Sequence, residues 1–467
     1  MTLQKRLLAF SSATAVMACL SQPAAAAPWV RGFVVGTYEY AFRYGGRTGF
    51  ARSGEIEPGS DCIHGSTIHF SNSAQIRRAL SLQSWRSPEE IDTVSTLPGL
   101  EQGKTPDQAR FMIWDRAMSY RGWRHGIETY INPFAAHDPG QPEVVSRIGD
   151  GFNLDGKIGA DDFVSPNGEK GIDNALYRAW GCDAPWRGNG NATLDLRSND
   201  KMQEGLYTMV IRLSGNQDPM NDKDATLEIG YSPDHIIKDA RGSVASEFSY
   251  RIAKSAQYTK MKARVANGVV DTEQVAELHA PRVAWFYDHA GDANFHQGRI
   301  RLVIDADGNA KGLIGGYRNW RDIYAQNTFA QDGGQQGVRE HEDGVALYYA
   351  LKRNADGMRD EKTGQNMGIS TAYRITAVPA YVVDAKKPAE IAVLTLEEKR
   401  RQAYLEIEAR MVKATTMRVL QDVPPGTSEG AYPNMEHAIV GMPDTDYFLK
   451  TLDRPHFDEV KEAREVQ

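Results

Sequence analysis

Between Asp150 and Cys182 the chain reads DGFNLDGKIGADDFVSPNGEKGIDNALYRAWGC. Counting from Gly151, Asn153, Asp155 and Asp162 hold the third, fifth and twelfth places, with Gly156 at the sixth and Ile158 at the eighth. Oxygen donors at those intervals, around a glycine that permits a sharp turn, form the pattern of a loop that wraps a hard divalent cation such as calcium. The first place is Gly151, which offers no side-chain oxygen, and the nearest carboxylate is Asp150. A shifted geometry that uses Asp150 fits these residues. So does an Asx-rich turn in which Asn153 and Asp155 bond only their own backbone. Asp150, Asn153, Asp155 and Asp162 are the expected metal ligands, and calcium is the expected cofactor.

Two further groups of residues carry chemistry. Asp218, Asp222 and Asp224, with Asn221, crowd one connection, and carboxylates so close repel each other unless a cation or water separates them. They form a second, weaker calcium candidate beside the alternative of a solvated acidic turn. Asp288, His289, Asp292 and His296, and separately Glu340, His341, Glu342 and Asp343, would bind a transition metal or move protons only if folding joined them. As they stand, each set reads first as a polar loop.

The 151–162 window is similar to the dockerin type of calcium loop, D-x-N-x-D-G-x-I-x-x-x-D, over those twelve residues and without its first ligand. A longer likeness runs through SPNGEKGIDNALYRAWGC, NDKDATLEI and LYYALKRNADGMRDEKTGQNMGIS. These segments resemble, in the same order, stretches of a group of exported proteobacterial proteins with no assigned activity. GIDNALYRAWGC is the most specific of them. The resemblance implies one evolutionary unit and carries no function across.

Compartment decides which chemistry is available. Lys5 and Arg6 precede an apolar run from Leu7 to Leu20 and then a small-residue tract ending at Ala27, the layout of a secretory signal peptide cleaved after Ala26. A second reading has Val16-Met17-Ala18-Cys19 as a lipoprotein box that leaves lipid on Cys19. Soluble export to the periplasm or beyond is preferred, and no other apolar run is long enough to span a bilayer. Of three cysteines, Cys62 and Cys182 lie outside the leader. In an oxidising compartment the pair reads as a disulfide, tying the N-terminal region to the metal loop.

The elements that must position these residues read as mainly β. Strand-like runs occupy Val30 to Tyr44, Tyr207 to Leu213, Ala225 to Tyr231, Arg282 to Asp288, Arg299 to Ile304, Lys311 to Tyr317 and Ile369 to Val383. Asn267-Gly268 marks a hairpin. Helical spacing appears at Ser73 to Trp85, Thr105 to Tyr120 and Gly344 to Ala355. It is clearest from Thr395, which forms a capping box with Glu398, to Met417. The expected fold is a β-sandwich or jelly-roll-like core with a helical N-terminal region and a long C-terminal helix. Its boundaries run 1–26 for the leader, 27–149 mixed, 150–182 the loop and disulfide hub, 183–385 the β core and 386–467 helical.

A net charge of −7 argues against nucleic-acid partners. No G-x-S-x-G, Walker, H-E-x-x-H or C-x-x-C-H motif is present, so no haem, nucleotide or flavin is expected. Trp285, Tyr317 and Trp320 on the late strands are the candidate ligand-binding residues, through rings stacked on sugars, beside the preferred alternative that such rings fill the core. The expected function is non-catalytic binding of a glycan, polymer or envelope partner. The alternative is a glycosidase-like hydrolase with paired carboxylates.

Overall fold

The computed structural model describes residues 28–46, 58–65, most of 132–183, 208–254, 258–281, 292–328, 344–385 and 441–452, with isolated residues between. In chain order the strands are β1 (Trp29–Tyr40), β2 (Trp123–Arg124), β3 (Ile127–Glu128), β4 (Phe163–Val164), β5 (Lys170–Ile172), β6 (Thr208–Gly215), β7 (Ala225–Ser232) and β8 (Phe248–Ile252). They continue with β9 (Thr259–Ala266), β10 (Val269–Thr272), β11 (Val275–Pro281), β12 (Asp292–Ile304), β13 (Ala310–Asn319), β14 (Gly357–Arg359) and β15 (Asn366–Asp384). The helices are α1 (Ala175–Trp180), α2 (Trp320–Thr328), α3 (Gly344–Asn354) and α4 (Pro443–Leu452).

Strands β1, β6, β7, β9, β10, β12, β13 and β15 pair in that order, and β15 returns to β1, closing an eight-stranded antiparallel barrel. This corrects the expected sandwich. Sandwich and barrel strands share the same alternation of apolar and polar residues, so periodicity does not separate them. The pairing that does is β1 with β15, and it joins the two ends of the strand series. The expected mixed N-terminal region thus supplies the closing strand of the β core. Among the described residues the C-terminal helix is the ten-residue α4. The expected helices at 73–85, 105–120 and 395–417, the strand at 282–288 and the leader with Cys19 lie outside the described residues.

The interior is filled. Register sets Leu213 against Leu227, Leu227 against Met261, Ile211 against Ile229 and Ile300 against Ile314. All of these are essentially buried. Burial of each such side chain contributes roughly 1.5–3 kcal/mol. On β9 the alternation is complete: Met261, Ala263 and Val265 are buried, while Lys260, Lys262 and Arg264 are exposed. The expected hairpin joins β9 and β10, with Asn267 and Gly268 at φ 51° and 76°. These left-handed values are what a tight antiparallel turn requires.

In β1 the alternation changes phase. Val35 faces Ala377 and Tyr38 faces Ile375, with the register shifting between Val35 and Thr37, so Gly36 is the extra residue of a bulge. Past it, Tyr40 stacks on Tyr373 and meets Trp180 and Trp186 edge-on, at centroid distances of 4.6, 5.7 and 4.8 Å. That end of the barrel is closed by α1. The Cys62–Cys182 disulfide is formed, across 120 residues. Beside it Arg187 donates to Asp61 at 2.8 Å, with both side chains buried. Among the described residues no helix is long and apolar enough to cross a membrane.

Candidate functional site

The hub lies on the outer face of the barrel. Phe152 sits where Gly315 leaves room; a Cβ there would stand 3.2 Å from its ring. The guanidinium groups of Arg299 and Arg301 lie 5.5 and 5.6 Å from the centre of the same ring. Leu154 packs beside it against Tyr317, and Gln274 donates to the Leu154 carbonyl at 3.1 Å. Arg301 also reaches Glu169 at 2.9 Å. Aromatic packing and charge pairs thus hold the hub over β12 and β13.

This docking gathers four carboxylates around one tyrosine. Asp155 and Asp162 come from the loop, Asp173 from the end of β5, and Asp356 from the approach to β14. Burial drives the Asp173 carboxyl up to about 7. Repulsion from Asp356, Asp155 and Asp162 adds to the rise, and the Leu154 N–H, donating at 2.6 Å, only partly offsets it. Burial also lifts Asp356 to about 6, against two hydrogen bonds from Ser370, and Asp162 repels it further. Asp356 keeps an exposed surface although protein encloses it on most sides, so water still reaches it. The Ser370 hydroxyl donates to Asp356 at 2.5 Å and accepts from the Ala175 N–H at 2.7 Å, linking the cluster to α1. The Tyr317 phenol is pushed well up by burial and then by the same four aspartates.

The expected ligands fare unevenly. Asp155 and Asp162 join the cluster. Asp150 does not: it faces away to Arg43 at 3.1 Å and Arg374 at 3.5 Å. Asn153 accepts from the Gly156 N–H at 2.6 Å and donates to the Lys157 carbonyl, while Asp155 accepts from the Lys157 N–H. Asp162 accepts from the Gly159 N–H. The contacts of Asn153 and Asp155 are those of the Asx-rich turn that the sequence also allowed. Among the described residues no three His, Cys, Asp or Glu side chains converge as they would around a bound ion.

The second acidic loop is internally satisfied. Burial works against the charge of Asp222. Hydrogen bonds from Asp224, Gln217, the Trp29 indole and Asn216 outweigh it and hold the carboxyl below the ordinary value. Asp218 caps the Met220 N–H and bonds Asn221, which likewise lowers its pKa. Asp224 supplies its own N–H to Asp222. The carboxylates of Asp218 and Asp222 therefore shape a turn.

Of the two readings of the late aromatics, Tyr317 and Trp320 follow the buried one and not the sugar-stacking one. Tyr317 is 4% and Trp320 1% exposed, so neither presents a ring to solvent. Tyr317 lies beneath the hub, and Trp320 meets Tyr348 edge-on at 5.4 Å. Trp285 lies outside the described residues, as do 288, 289 and 340–343. His296 Nδ1 lies 2.6 Å from Glu277 Oε1 across β11 and β12.

Asp173, Asp356 and Ser370 escaped the sequence reading because each belongs to a different segment. The one signal for Asp173 was its place in GIDNALYRAWGC, beside the loop. Phe152 and Asp173 form a bridge, which brings Asp173 next to the loop position where Gly151 lacks an oxygen. Comparison with known proteins gives no match to a family model, a curated protein or a solved structure, so the reading of this cluster rests on its geometry.

Proposed function

We propose that this chain is an exported, non-catalytic binding protein whose hub is locked onto the barrel by a calcium ion taken up among Asn153, Asp155, Asp162 and Asp173. The observation that carries this reading is the gathering of Asp155, Asp162 and Asp356 about Asp173, whose carboxyl burial drives up to about 7 and whose neighbours' repulsion raises it further. Repelling carboxylates gain most from a divalent cation, which replaces protons as their counter-charge. Asp173 supplies the carboxylate that Gly151 lacks. Capture requires the exposed Asp155 and half-buried Asp162 carboxylates to exchange their backbone N–H partners for the ion by side-chain rotation. Export follows from the leader-like N-terminus and fits the formed disulfide.

Calorimetric titration of the chelated protein tests the site. Calcium should bind with measurable heat, and Asp173→Asn should remove it. No heat at millimolar calcium would end the reading. A second reading rests on the same pair: Asp173 and Asp356, raised to about 7 and about 6, suit acid–base hydrolysis of a glycoside near neutral pH. Release of reducing ends from a polysaccharide panel, abolished by Asp356→Asn, would favour it; an inert protein would remove it.

A further inference from the structure

The exposed face of β9 is a line of three cations. Lys260, Lys262 and Arg264 alternate with buried residues, so their side chains leave the barrel on one side, about 6.6–6.8 Å apart along the strand. None of the three forms an ion pair among the described residues. Acidic residues are close by but engaged elsewhere. Glu228, opposite Lys260, is held by Arg212 at 2.6 Å and by the Tyr258 hydroxyl. Asp271, opposite Arg264, is held by Arg299 at 3.0 Å and Arg301 at 3.4 Å. Thr226 faces Lys262. Glu273, whose N–H bonds the Lys262 carbonyl, is the exposed acid at one margin.

We propose that this stripe binds a linear acidic polysaccharide bearing carboxylates at intervals of a sugar residue or two. This deepens the reading of the chain as a binding protein and names the surface and the charge of its partner. Three cations kept in line by one strand are already spaced, so an extended polymer meets them without reordering the backbone. The adjacent carboxylates, tied to their own arginines, do not neutralise the stripe. A sparsely charged glycan suits a protein of net charge −7 better than a nucleic acid does. Duplex DNA carries a charge every ~1.7 Å of axis and would bring much of it against the acidic remainder of the surface.

The test uses the full mature chain, with chelator present so that calcium at the hub plays no part. Oligogalacturonate is the probe, with neutral dextran oligomers and a single-stranded oligonucleotide of equal charge alongside. Oligogalacturonate should bind at low ionic strength and weaken as salt screens the contacts. The triple change Lys260→Ser, Lys262→Ser, Arg264→Ser should weaken it by about tenfold or more. These side chains are exposed and unpaired, so the circular dichroism and melting of the variant should match the parent. Lys311→Ser, on the exposed face of β13, should leave binding unchanged. Absence of binding, equal affinity in the triple variant, equal affinity for dextran, or tighter binding of the oligonucleotide would each overturn the proposal.

Discussion

At the scale of single residues, an aspartate's neighbours decide its role. Burial raises the pKa values of Asp173 and Asp356, and repulsion from neighbouring aspartates adds to the rise. Asp222 is buried, yet it accepts from Trp29 Nε1 at 3.0 Å and from the N–H groups of Asn216, Gln217 and Asp224 at 2.8–2.9 Å, so it stays ionised. Asp222→Ala would strand those donors under the barrel end. It should destabilise the fold by about 2–3 kcal/mol, read as a shift in the urea midpoint, and leave calcium heat unchanged. A loss of calcium heat in this variant would mean that the second acidic loop, not the hub, holds the ion. Sequence spacing named Asp155 and Asp162, and the charges of both act on Asp173. It also offered Asp150, which two arginines from other segments claim instead.

At the scale of elements, the local signals were legible. The β9–β10 hairpin and strands β6, β7, β13 and β15 fall where alternation and turn residues put them. The bulge at Gly36 was not legible, because one glycine inside a strand-like run also reads as a simple bend. It nonetheless decides which side chains of β1 point inward. Deleting Gly36 would carry Tyr38 and Tyr40 to the outer face or break the pairing with β15. The variant should lose the near-ultraviolet signal of the Tyr40, Tyr373, Trp180 and Trp186 cluster and much of its soluble yield. An unchanged signal and unchanged melting would show that the bulge does not set the register.

At the scale of the whole molecule, the cluster couples stability to pH. Between about pH 4 and 7 the folded chain keeps a proton on Asp173 that the unfolded chain has released, because the folded pKa is raised from 3.8 to about 7. That contribution is complete below the unfolded value and is lost as pH rises through 7. With chelator, the melting temperature should therefore fall as pH is raised from about 5 to about 8. The loss is on the order of 1–2 kcal/mol once water at this partly exposed group is allowed for. Asp173→Asn should flatten the slope, and calcium should reverse it in the parent. A parent and variant with the same slope would rule out Asp173 as its source.

From the sequence alone came the strands and their turns, the two cysteines as a pair, and the loop from Gly151 to Asp162. These are local properties, carried by period, turn residues and elimination. Three things needed the tertiary structure: the closure of β1 onto β15, the burial of Tyr317 and Trp320, and the meeting of Asp173 and Asp356 with the loop. Each depends on segments far apart in the chain that touch only when the barrel closes and the hub settles on its flank. Periodicity within a strand says which residues share a face, and not which distant strand, helix or loop will cover it.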